Sequence, residues 1–77
     1  MSDCQYILAE NYHCAVDYAE RNKILFWTYV KDVNTIHGIS AGTPIICYGH
    51  WDLRLDYMAL RRAISERRLI IVVGKRN

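Results

Sequence analysis

PIICYGHWDLRLDYMALRRAISERRLIIVV, residues 44–73, decides how this chain folds. Pro44 to Gly49 is nearly all apolar, as befits a central strand covered on both faces by helices, with Pro44 tolerated only at its start. His50 to Arg68 reads as a helix. Leu53, Tyr57, Leu60 and Ile64 form its inward stripe, while Arg54, Arg61, Arg62, Glu66 and Arg68 ride outside or along its flanks. Leu69 to Val73 is again continuously apolar and predicts a last, buried strand. Two such strands joined by one helix make a crossover unit, which implies parallel pairing.

The N-terminal half follows the same logic. Cys4 to Ala9 is an apolar run too short for a helix and ends abruptly at Glu10-Asn11, so it is a strand. Asn11 can cap a helix whose apolar residues Tyr12, Ala15, Val16 and Ala19 recur at helical spacing, with Asn22 suited to its C-cap. Phe26 to Val30 is aromatic and β-branched, a second strand, and Asp32 can cap one or two helical turns that bury Val33 and Ile36. The order strand, helix, strand, short turn, strand, helix, strand predicts a Rossmann-like three-layer α/β domain. Its four-stranded, mainly parallel sheet has the order 2-1-3-4, with two main helices.

The 77 residues allow one domain, spanning 1–77, and the composition of 52% hydrophobic and 23% charged residues is that of a folded chain. Ten Lys and Arg against eight Asp and Glu leave a net charge of +2, far from the excess of a dedicated duplex-DNA binder, so nucleic acid is not the expected partner. The N-terminus lacks a basic start and an apolar core of signal type, and no apolar run approaches the roughly 20 residues that cross a bilayer. A cytoplasmic protein without a membrane partner is expected. Cys4, Cys14 and Cys47 contain no C-x-x-C pair and read as free thiols, with Cys4 and Cys47 serving as small hydrophobes. Large apolar side chains, Tyr18, Trp27, Tyr29, Tyr57 and Met58, exceed what so small a domain can cover, which predicts a homo-oligomer, by default a two-fold dimer.

In a sheet of this order the chain leaves strands one and three in opposite directions, opening a crevice at their carboxyl ends. The residues delivered there are Glu10, Asn11, Tyr12 and His13 after strand one, and Gly49, His50, Trp51 and Asp52 after strand three. Gly49 admits close backbone approach, Tyr12 and Trp51 offer flat faces for a base, and two helix N-termini present N–H groups to a phosphate. Arg54 can add a forked anion contact. The predicted ligand site is therefore Asn11, Tyr12, His13, Gly49, His50, Trp51 and Arg54, and the ligand a nucleotide or other small anion. The bland alternative is that the aromatic residues pack over the sheet end and the histidines are ordinary loop residues.

Neither G-x-G-x-x-G nor G-x-x-x-x-G-K-[ST] occurs, so a dinucleotide fingerprint and a P-loop are absent. No cofactor and no metal is expected, because His13, His37 and His50 match no ligand spacing. Cys14, one residue beyond His13, points off a different side of the helix, so no catalytic pair is assigned. In the arginine-rich C-terminal third, pairs such as Asp56 with Arg61 and Arg62 with Glu66 suit a solvated helix face. An enzyme therefore ranks behind a nucleotide-binding module and a protein-interaction module.

The strings ENYHCAVDYAERNKI, FWTYV and IHGISAGTPIICYGHWDLRLDY, followed by a short helix and LIIVV, resemble a loose group of small α/β proteins encoded by bacteriophages, mostly of actinobacteria. In that group an Asn-Tyr follows strand one, a Trp-x-Tyr-Val forms strand two and a Gly-x-Trp follows strand three. The counterparts here are Asn11-Tyr12, Trp27 to Val30, and Gly49 to Trp51; the chain departs from the pattern at Asn22-Lys23, where a Gly often ends the first helix. The resemblance implies a phage accessory protein in the host cytoplasm that binds a host protein or an immune signalling nucleotide. It carries no catalytic residue.

Overall fold

The computed structural model describes residues 5–74. The elements run β1 (Gln5–Ala9), α1 (Tyr12–Arg21), β2 (Trp27–Tyr29), α2 (Val33–His37), β3 (Pro44–Tyr48), a 3-10 turn (Trp51–Leu53), α3 (Tyr57–Glu66) and β4 (Ile70–Gly74). All strand pairs are parallel and the order is β2-β1-β3-β4, as the sequence predicts. Cys4, placed in strand one by the sequence, lies outside the described residues.

Local chemistry sets the helix starts. The Asn11 carboxamide oxygen accepts from the Cys14 N–H at 2.9 Å, and the Asp32 carboxylate accepts from the Thr35 N–H at 3.2 Å. Each cap satisfies a first-turn donor that the helix itself leaves unpaired. At its other end α1 stops at Asn22, whose side chain donates to the Tyr18 carbonyl, and the chain turns through Lys23 at φ 54° without the glycine usual at such a position.

Strand alternation divides the core in two. Ile7, Ala9, Ile46 and Tyr48 meet Ala15 and Ala19 of α1 on one face. Leu8, Ile45 and Cys47 meet Ile36 of α2 and Leu60, Ala63 and Ile64 of α3 on the other. β1 and β3 are thereby covered on both sides, as their apolar runs require.

Three expectations are corrected. β4 is not buried: Ile70, Ile71, Val72 and Val73 are 55%, 47%, 41% and 72% exposed. One helix on one face and two on the other suffice for β1 and β3 but leave the last strand uncovered. Secondly, α3 does not run from His50; the chain bends at Arg54, which is extended (φ −68°, ψ 147°), and Leu53 is 67% exposed rather than inward. Thirdly, Tyr18, Trp27, Tyr29 and Tyr57 are half-buried, so the surplus apolar surface lies on β4 and at Leu25, Phe26, Leu53, Leu55 and Met58.

Cys47 sits at 4% exposure between β1 and β4, and burial pushes its thiol from 9.0 up to about 12. Its folded value lies above its unfolded one, so the stabilisation is complete below pH 9 and is lost as pH rises towards 12. Chemical denaturation at several alkaline pH values should show the parent losing up to about 1.4 kcal/mol per pH unit more than Cys47→Ala in this window. Parallel pH profiles for the two proteins would contradict the assignment.

Candidate functional site

The carboxyl ends of β1 and β3 open into a depression of about 720 Å³. Glu10, Asn11 and His13 enter it from the β1–α1 junction, and Gly49 and His50 from the end of β3. Gly49 turns the chain at φ 71°, in the left-handed region, and nothing lies within 4 Å of where a Cβ would stand, so its backbone is open to a ligand. Four of the seven predicted site residues, Asn11, His13, Gly49 and His50, are thus brought together.

Arg54 is engaged elsewhere. Its guanidinium donates to the carbonyls of Ala9 (3.1 Å), Val30 (3.0 Å) and Lys31 (2.6 Å) and pairs with both carboxylate oxygens of Asp56 at 3.0 and 3.1 Å. The side chain is only 9% exposed. The carbonyls at the ends of β1 and β2 need donors once the two strands stop pairing, and the guanidinium fork supplies them. An anion-binding role for Arg54 is therefore replaced by a structural one. Asp56 does not pair with Arg61, which instead donates to the Tyr57 hydroxyl at 3.2 Å; Arg62 and Glu66 do meet, at 4.0 Å and largely exposed.

The predicted aromatic platform also lies outside the depression. Tyr12 stacks on Trp27 with centroids 5.9 Å apart and meets Tyr29 edge-on at 5.6 Å, over β2. Trp51 packs against the α3 side of the core and contacts Tyr57 at 4.9 Å.

Sequence reasoning missed Cys14, Asp17, Tyr48 and Gly74 as lining residues. His13 and Asp17 are four apart on α1, a spacing that signals a shared flank; Cys14 reaches the same depression despite its offset from His13. The Asp17 carboxylate accepts from Arg21 at 3.0 Å on the exposed helix surface. Gly74 stands beside Tyr48 in register, and a Cβ there would lie 2.9 Å from the Tyr18 ring, which itself packs on Tyr48 at 4.8 Å. Among the described residues no three His, Cys, Asp or Glu side chains converge to hold a metal ion, and no helix is long and apolar enough to cross a membrane.

Replacing Arg54 should therefore weaken the fold. Arg54→Ala leaves three carbonyls and Asp56 without their donor and should cost about 2–3 kcal/mol in urea denaturation, below the fully buried range because Asp56 is partly exposed. Arg54→Lys should recover little, since one ammonium cannot span these acceptors. Unchanged stability in Arg54→Ala would refute the clamp. No family model, curated protein or solved structure matches the chain.

Proposed function

We propose that the chain is a non-enzymatic binding module that holds a phosphate-bearing nucleotide, linear or cyclic, in the depression. One observation carries this reading: residues following two adjacent parallel strands converge, at the point where the chain diverges, on an open space of small-molecule size. In this reading the phosphate sits over the first-turn amides of α1, with the imidazoles of His13 and His50 as further donors. Glu10 accepts from sugar hydroxyls, and the bare backbone of Gly49 lets the ligand approach. Arg54, Tyr12 and Trp51 have no part in it. In the setting implied by the resemblance to small phage proteins, such a module would act by sequestering a signalling nucleotide. The alternative, a protein-interaction module, is favoured by a separate observation, the exposed apolar side chains Leu53, Leu55 and Met58 at the start of α3.

A thermal-shift panel of linear and cyclic nucleotides, with inorganic phosphate as a control, tests the first reading. A ligand at 100 times its Kd adds about 2.7 kcal/mol, and each kcal/mol raises Tm by roughly 4–8 °C in a domain of this size. His13→Ala and His50→Ala should each weaken the shift about tenfold in apparent Kd, whereas Trp51→Ala should leave the affinity of the folded protein unchanged. The proposal is overturned if no nucleotide raises Tm at millimolar concentration, or if binding survives both histidine substitutions.

A further inference from the structure

We propose that β4 is a self-association edge. Two copies pair their β4 strands antiparallel about a two-fold axis normal to the sheet, joining two four-stranded sheets into one of eight. This inference is independent of the nucleotide reading.

The strand ends the order β2-β1-β3-β4, so one side of its backbone has no neighbour among the described residues. The Ile70 N–H donates to the Thr43 carbonyl at 3.1 Å, towards β3. Because successive residues alternate, Ile71 and Val73 direct their N–H and C=O groups away from β3, to the open edge. Natural edges of this kind carry Lys, Pro or a bulge that discourages pairing. Ile70–Gly74 contains no charge and no proline, and four consecutive large apolar side chains on it are 41–72% exposed.

A second copy is the occupant that this edge fits. Centred on Val72, antiparallel pairing sets Ile71 opposite Val73 of the second copy and Val73 opposite its Ile71. Each pair exchanges two N–H···O=C bonds across the axis. Val72 meets its own counterpart. Within Ile70–Gly74 every opposed pair is apolar or glycine, so no like charges face each other along the paired strands, and the isologous contact closes without propagating. β2, the other edge, has only three residues, and Tyr12 packs on its two aromatic side chains, so it offers little template for β4. A single strand pair falls at the small end of interfaces, below about 1,200 Å², which makes the dimer concentration-dependent.

Sedimentation velocity from about 1 μM to 1 mM, without nucleotide, tests the assignment. The parent should rise from a mass of 9.0 kDa towards twice that value. Val73→Lys, at a position 72% exposed, should keep the parent circular dichroism spectrum and remain monomeric throughout. Val72→Cys should form a cross-linked dimer under mild oxidation, at a yield well above that of the parent with its native thiols. A parent that stays monomeric at 1 mM, or a dimer that persists in Val73→Lys while Val72→Cys gains no cross-link, would overturn the proposal. Either result leaves nucleotide binding to be judged by its own thermal shifts.

Discussion

The guanidinium of Arg54 fixes the carboxyl end of this sheet. It ties the ends of β1 and β2 together through the carbonyls of Ala9, Val30 and Lys31, where the parallel ladder runs out and the chain would otherwise leave acceptors unpaired. The bidentate pair with Asp56 then explains the start of α3. Asp56 precedes the helix yet makes no side-chain capping bond, because its carboxylate is held by Arg54. The helix begins at Tyr57 and not at His50 because the intervening backbone must extend at Arg54 to deliver the side chain across the strand ends. Arg67 does similar work at the other end of α3, donating twice to the Ile39 carbonyl at 3.1 and 2.6 Å. α3 is thus bracketed by two arginines that bind main chain far away in sequence.

This clamp also determines where open space remains at this end of the sheet. With Arg54 across the ends of β1 and β2, and Tyr12 packed over β2, the open volume lies on the other flank of α1, towards β3 and β4. That is why Asp17 and Gly74 join the lining while Tyr12 and Trp51 leave it. The depression consequently carries carboxylates and imidazoles without a guanidinium among its described residues. In the nucleotide reading proposed above, phosphate recognition would rest on oriented amides and histidines, which suits modest and selective affinity better than strong, general anion capture.

The parts readable from the sequence are those set by local chemistry or by simple alternation. Asn11 and Asp32 announce helix starts, the apolar runs of β1 and β3 announce buried parallel strands, and the order of elements fixes which strands are neighbours. Arg54 was unreadable because its main-chain acceptors lie 23, 24 and 45 positions away, and backbone atoms leave no trace in residue identity. On a helical wheel it looks like any flank arginine. The exposure of β4 was unreadable for a different reason. LIIVV and PIICY have the same apolar character, and only the number of helices on each face, with the place each one takes, distinguishes a covered strand from an uncovered one.

Gly74 links the two surfaces. It closes β4, lines the depression beside Tyr48, and lies under the Tyr18 ring so closely that a methyl group would collide with it. Tyr18 in turn packs on Tyr48 and projects from the same helix as His13 and Asp17. Under the proposed β4 pairing, a second strand would brace Gly74 and, through the Tyr18 ring, Tyr48 in the wall of the depression. Any ligand that favours one arrangement of this wall must then favour, by the same free energy, the assembly state that shares it. The physical requirement is only that pairing and binding prefer a common position of Gly74 against Tyr18.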